Sequence, residues 1–216
     1  MIALAGYAAL SVLLGSFCFR ISPLPPRELY RVTLPDTGAG NSGTTAAPRI
    51  AGTLAISEYA TPGIYGEPGI VFRIGESEYG SYPNREWALP LSNQLGVLTE
   101  RILRRAPLTT EPAVFDPPSR RAQTYIWRGS VREFDEINRG REVLAAVRID
   151  ANLVRAADDS ILWSGTARAE RAVPTADMPG IVQALSALAE QVVSELIERA
   201  RHDVAVAPVG AAPSAP

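Results

Sequence analysis

An alternation of apolar and polar side chains dominates the chain between residues 123 and 171. Within VLAAVRIDANLV, Arg148, Asp150 and Asn152 alternate with apolar residues, which is typical of a strand with one buried and one wet face. The flanking segments TYIWRGSVREF and ILWSGTARAE connect to this strand through NRG and ADDS, both common turn sequences. We therefore predict an antiparallel three-strand meander whose central strand buries Val143, Ala145, Val147, Ile149, Ala151 and Leu153.

Two segments show helical spacing instead. The first follows Asn84, the predicted N-cap, and its apolar residues recur three or four positions apart, at Trp87, Leu91, Leu95, Leu98 and Ile102. The second helix is predicted to begin near Thr175 or Asp177 and to end near His202. Its apolar stripe comprises Ile181, Leu185, Leu188, Val192, Leu196 and Ile197.

Shorter strands are predicted before the first helix, at 30–34 and 50–56, and a hairpin pairs 70–74 with 77–82 across Gly75 and Glu76. The order of elements is strands, helix, meander and helix, without the regular alternation of parallel βαβ folds. We predict an α+β fold, a two-layer domain with an antiparallel or mixed sheet packed on two long helices.

The first nineteen residues carry no charged side chain and end beside Cys18, the only cysteine. Gly15 and Ser16 suit a bacterial lipobox, whereas the bulk of Phe17 should obstruct processing. Three alternatives stay open: lipid attachment at Cys18 after cleavage, an uncleaved N-terminal anchor, or an untargeted chain. The predicted organisation is a signal peptide or anchor (1–19), a Pro-rich tether (20–29), one folded domain (30–202) and a disordered tail (203–216).

Composition excludes several function classes. The 21 basic residues are all arginines, and with 23 acidic residues they leave a formal net charge of -2, which argues against a broad nucleic-acid surface. One cysteine cannot form an intramolecular disulfide, and His202 is the only histidine. Zinc binding by the usual ligands and catalytic triads are therefore not expected.

Carboxylates are the remaining candidates for chemistry. REFDE contributes Glu133, Asp135 and Glu136, and ADDS contributes Asp158 and Asp159. Paired acids can act as general acid and base, so a hydrolase is one hypothesis. Edge-strand and turn charges explain both clusters without catalysis, and we predict a protein that is not an enzyme, with no catalytic, metal or cofactor site.

Trp127 and Trp163 share the parity of the core face of the meander, which predicts that both pack in the interior. If the face of Trp127 were open, it would line an apolar site for a lipid chain or a partner helix.

Several segments together carry a family resemblance: YRVTLP, then GIVFRIGESEYGSYPNREWALPLSNQL, then YIWRGSVREFDE and ILWSGTARAERAV. The most specific parts are Glu86-Trp87-Ala88-x-Pro90-Leu91 and Gly129-x-Val131-x-x-Phe134. Over residues 30–200 the chain resembles the ABC-type transport auxiliary lipoprotein family, the group that includes paraquat-inducible protein C.

The resemblance implies a periplasmic lipoprotein anchored to the outer membrane, with an inner-membrane anchor as the alternative. Its partners would be an MCE-domain protein and an ABC transporter complex in lipid transport, and it would act by docking; a homo-oligomer is also plausible. The competing hypothesis is a lipid-binding carrier that holds an acyl chain between sheet and helices.

Overall fold

The computed structural model describes residues 26–33, 47–75, 77–119 and 122–206. They form one mixed sheet of eight strands and two α-helices, which confirms the predicted α+β class. The helices are α1 (Leu91–Arg105) and α2 (Met178–Val206). The strands are β1 (Glu28–Tyr30), β2 (Leu54–Ile56), β3 (Gly69–Ile74), β4 (Glu78–Trp87), β5 (Val114–Phe115), β6 (Tyr125–Arg139), β7 (Glu142–Arg155) and β8 (Ile161–Ala172).

The three long strands β6, β7 and β8 form the predicted antiparallel meander. All six predicted core positions of β7 are buried or half-buried, because strict alternation directs them to the helix-covered face. The turn between β6 and β7 contains Gly140 at a φ of 66°, a conformation that glycine adopts without a Cβ clash.

The other edge of β6 is shared by two shorter strands. β2 pairs parallel with its start, β3 pairs parallel with its end, and Ala60 bridges Ser130 between them. The chain from Leu54 to Ile74 therefore follows β6 in one direction, with a single 3-10 turn at Gly63–Gly66 in between. The strand predicted at 50–56 is shorter than expected, since Ile50 makes only an isolated bridge with Thr109.

The hairpin of β3 and β4 is present, but β4 continues to Trp87 and pairs there with β1. The predicted helix start at Asn84 was therefore wrong. Pro83 and Pro90 disfavour helical geometry at the residues before them, and β1 offers this segment a strand partner. Helix α1 begins only at Leu91, directly after Pro90. The strand predicted at 30–34 was also misplaced, because β1 is Glu28–Tyr30 and shares only Tyr30 with it, and residues 31–33 are not in a strand.

Both helices bury their predicted apolar stripes, except that Trp87, which is also buried, belongs to β4 and not to α1. Helix α2 begins after Asp177, whose Oδ1 accepts a hydrogen bond from the Gly180 N–H at 2.9 Å, as an N-cap does. It ends at Val206, four residues beyond the predicted end at His202, and residues 207–216 lie outside the described chain. By length and composition α2 could span a membrane, but 61% of its most apolar window is buried within the domain.

Candidate functional site

The acidic segment REFDE lies inside the sheet, because β6 is a central strand. The side chain of Asp135 is 0% exposed; its Oδ1 accepts hydrogen bonds from the Tyr65 hydroxyl and the Phe134 N–H, and its Oδ2 lies 3.0 Å from Arg73 Nε. Burial raises the pKa of Asp135, while the Tyr65 hydrogen bond and the Arg73 charge lower it. The prediction of an edge-strand charge was wrong here, since Asp135 belongs to a buried ion pair.

The neighbouring carboxylates are also held by fixed partners. Glu136 accepts hydrogen bonds from the Tyr82 hydroxyl at 2.8 Å and from Asn138 Nδ2 at 2.9 Å. Burial, together with the hydrogen bond to Glu136, raises the pKa of Tyr82 to about 12. Glu133 forms an ion pair with Arg168 at 2.8 Å. Among the described residues, one surface cleft lies beside α1 and another is lined by Pro26, Tyr82 and Arg85, and neither is lined by Glu133, Asp135 or Glu136.

The ADDS segment forms a turn, as predicted. Asp158 accepts hydrogen bonds from the N–H and the hydroxyl of Ser160, which lower the pKa of its carboxyl group. Asp159 takes a left-handed φ of 56° and pairs with Arg128 at 2.6 Å. Both carboxylates therefore have contacts that stabilise the turn between β7 and β8.

The single histidine lies on the surface near the end of α2. His202 Nδ1 is 3.0 Å from Asp203 Oδ1, and Asp203 also accepts a hydrogen bond from Trp163 Nε1. The described residues contain no group of three His, Cys, Asp or Glu side chains that could hold a metal ion. Cys18 lies outside the described residues, so its lipid attachment stays a prediction.

The tryptophans of the meander pack in the interior. Trp127 is 0% exposed and stacks on Trp163 with ring centroids 5.7 Å apart. Its Nε1 donates to the Tyr59 hydroxyl, which also bonds Thr99 on α1. Gly129 makes room for this arrangement, because a Cβ there would lie 2.1 Å from the Tyr59 ring. The face of Trp127 is therefore closed.

The more polar of the two clefts is a groove beside the outer face of α1, with a volume of about 330 Å³. We call it the α1 groove. The segment that follows β1 forms one wall, and the helix forms the other. The lining residues are Arg31, Val32, Thr33, Leu89, Asn93, Gln94, Val97, Leu98 and Arg101.

Gln94 builds this groove. Its Oε1 accepts the Val32 N–H at 2.6 Å, and its Nε2 donates to the Leu89 carbonyl at 2.7 Å. Ser186 on α2 accepts the Thr33 N–H at 3.0 Å. These bonds fix the segment after β1 against both helices. The sequence does not reveal the groove, because its two walls are about sixty residues apart along the chain. The one sequence signal for the groove is Gln94, a polar residue beside the apolar stripe of α1.

A second exposed feature is the outer edge of β8, which pairs with β7 alone among the described strands. We call it the β8 edge. Towards its C-terminal half, Arg199 on α2 donates to the Thr166 carbonyl, and Arg168 pairs with Glu170. At its start, Ile161 is 64% exposed and Leu162 is 37% exposed. Charged side chains therefore protect one part of this edge and leave an apolar part open.

Solved structures share this fold. Protein XCC0632 from Xanthomonas campestris is 20% identical, with a TM-score of 0.65 over 78% of this chain and 91% of that one. An uncharacterized protein is 15% identical, with a TM-score of 0.62 over 81% and 99% of the two chains. The PelC dodecamer from Paraburkholderia phytofirmans is a weaker match, at 12% identity and a TM-score of 0.47 over 73% and 94%. No curated protein matches the chain.

The family comparison is more informative than these distant structures. The model of the ABC-type transport auxiliary lipoprotein component matches residues 33–196, most of the chain. This match confirms the resemblance found in the sequence, and it implies a membrane-anchored lipoprotein of the cell envelope that assists ABC-type transport. The chain belongs to the ABC-type transport auxiliary lipoprotein family.

Proposed function

We propose that this protein is a non-enzymatic periplasmic lipoprotein of an ABC/MCE-type lipid transport system, and that it docks to the MCE-domain partner at the outer membrane. Family membership supports the transport role. The proposal that the protein is not an enzyme rests on the contacts of its acidic clusters. Asp135, Glu136 and Asp159 each bind a side chain of the fold itself, in an ion pair or a hydrogen bond.

Attachment to the membrane would use Cys18. The described chain begins at Pro26 and enters the sheet at Glu28. The seven residues between Cys18 and Pro26 span at most roughly 25 Å when extended, which keeps the domain close to the lipid headgroups. Two or three acyl chains on one cysteine would make this attachment stable, since a single chain binds only marginally.

The β8 edge is our candidate for the docking surface. Unpaired strand edges accept a strand of a partner protein, and flanking apolar side chains add specificity. Ile161 and Leu162 lie at the part of the edge that Arg199 does not cover. A partner strand added here would extend the meander beyond β8.

The test is co-purification of the full chain with its MCE-domain partner from solubilised envelopes. Ile161→Arg places a charge in the proposed contact and should reduce recovery of the partner at least about tenfold. Val114→Arg is the matched control, because Val114 is also a β-branched strand residue with substantial exposure, 42%, but lies in β5. If the two variants recovered equal amounts of the MCE-domain partner, the β8 edge would not be the docking surface. If the wild-type chain recovered none, the MCE-domain protein would not be its partner.

The competing carrier function requires an acyl chain between the sheet and the helices. Trp127, Leu185 and Leu188 are at most 1% exposed in that layer, so this packing favours docking. Native mass spectrometry distinguishes the two functions, because a carrier would retain a stoichiometric lipid in addition to any acyl groups on Cys18.

A further inference from the structure

Two arginines of the α1 groove have no partner among the described residues. Arg31 and Arg101 are exposed and form no hydrogen bond or ion pair with any residue that the structure describes. The nearby Arg27 and Arg85 do form ion pairs, with Glu86 and Glu28. Within the described part of the chain, two positive charges at one groove therefore lack a compensating carboxylate.

The other lining residues complete a site for an anion with an apolar part. None of the described residues that line the groove is a carboxylate. Asn93 and Thr33 add polar groups, and Leu89 and Val97 add apolar surface that is 59% and 42% exposed. Guanidinium groups bind phosphate oxygens through charge-assisted hydrogen bonds.

We propose that the α1 groove binds the phosphate headgroup of an anionic phospholipid in the membrane that anchors the chain. Arg31 and Arg101 bind the phosphate, and Leu89 and Val97 contact the glycerol and the first methylene groups. The groove lies only five residues beyond Pro26, where the chain arrives from its N-terminal segment. Headgroup binding would fix one orientation of the domain on the bilayer. This inference rests on the proposed membrane attachment, but not on the docking partner.

An extended peptide is a poorer occupant, because the backbone donors of this wall are already used. The Val32 and Thr33 N–H groups bond Gln94 and Ser186. A partner strand would find few free N–H groups here, whereas neither guanidinium group is used by another described residue.

The test compares hydrogen–deuterium exchange of the full chain in nanodiscs of phosphatidylcholine with and without phosphatidylglycerol. Phosphatidylglycerol should slow exchange in 31–33 and along α1 by about fivefold or more, the factor that corresponds to about 1 kcal/mol for a partly exposed charge contact. The double variant Arg31→Gln/Arg101→Gln should lose this effect. Arg141→Gln, which removes another exposed arginine without a described partner, should keep it.

Three results would overturn the proposal. Equal protection without phosphatidylglycerol would show that the headgroup charge is not recognised. Protection by inorganic phosphate added to phosphatidylcholine discs would indicate a free anion as the ligand. If the double variant kept its protection but lost the MCE-domain partner, the groove would be a protein site.

Failure of partner recovery together with intact phosphatidylglycerol protection would instead contradict only the proposed function. Urea unfolding of the double variant checks that it folds.

Discussion

An irregularity in β6 decides which face of the sheet Asp135 lies on. The pairing with β7 shifts between Val131 and Glu133, which marks a β-bulge. The bulge changes the alternation, so that Phe134 joins the core face and Asp135 faces Arg73 and Tyr65. A bulge inserts one residue without a distinctive sequence signal, and strict alternation therefore misplaces every side chain that follows it.

The first prediction concerns this ion pair. Asp135→Ala leaves Arg73 with an uncompensated charge in a mostly buried site, and we expect a loss of about 3 kcal/mol in the free energy of unfolding. Asp159→Asn breaks a pair whose carboxylate is 71% exposed, and asparagine tolerates the left-handed φ of this position, so its effect should be near zero. Urea unfolding at neutral pH measures both variants. Similar midpoints for the two would show that the Asp135 pair contributes little.

The second prediction concerns pH. Burial raises the pKa of Asp150, but the hydrogen bonds from Thr166 and Arg132 outweigh it and lower the pKa below its ordinary value. A carboxyl group whose pKa is lower in the folded state stabilises the fold above its unfolded pKa of about 3.9 and loses this contribution as the pH falls.

Asp150→Asn should therefore destabilise the domain by about 1 kcal/mol at pH 7, and the difference from wild type should shrink as the pH falls below the unfolded pKa of about 3.9. Denaturant unfolding across this range provides the measurement. A difference that stays constant with pH would indicate that the loss comes from packing and not from the charge.

At the scale of elements, local periodicity was sufficient for the meander and for α2. The alternation in β7 and the stripe of α2 each repeat over many residues, so one irregular position does not hide them. The first helix was misplaced at its start because Trp87 stands four residues before Leu91, a spacing that fits a helix as well as a strand followed by a turn. Other strand pairs join segments that are distant in the sequence: β1 pairs with β4, and the 54–74 segment pairs with β6. No local sequence pattern predicts these pairings.

The third prediction explains the glycine of the Gly129-x-Val131 motif. Gly129→Ala would push the new Cβ into the Tyr59 ring, disturbing the hydrogen bonds of Tyr59 with Trp127 and Thr99. We expect a loss of about 2 kcal/mol, as for other overpacked cores. Ser130→Ala, at the next position of β6, is the control and should change the unfolding free energy by less than about 0.5 kcal/mol. A stable Gly129→Ala variant would mean that the Tyr59 ring can move away at little cost.

For the whole molecule, the sequence predicted the family and the fold class but not the surfaces. The α1 groove brings together Arg31 and Arg101 from separate elements, and the β8 edge is defined by the strand that is missing beside it. Both depend on the tertiary arrangement, which periodicity does not encode.

The fourth prediction concerns the anchor. The mature protein, expressed as the full chain in a Gram-negative host, should have an intact mass that begins at Cys18 and includes acyl groups. Cys18→Ser should abolish the added mass, and Phe17→Ala should increase the processed fraction because it removes bulk before the cleavage site. An unmodified wild-type chain that retains Met1 would contradict lipid attachment.

The stacked indoles of Trp127 and Trp163 give the domain an optical property. Their ring centroids are 5.7 Å apart, close enough for the excited states of the two rings to couple and to produce an exciton signal in circular dichroism. Trp163 is also tied to Asp203 near the end of α2. Loosening of the last turns of that helix should therefore weaken the signal before the sheet unfolds. The two tryptophans can then report the packing of α2 against the sheet without an added label.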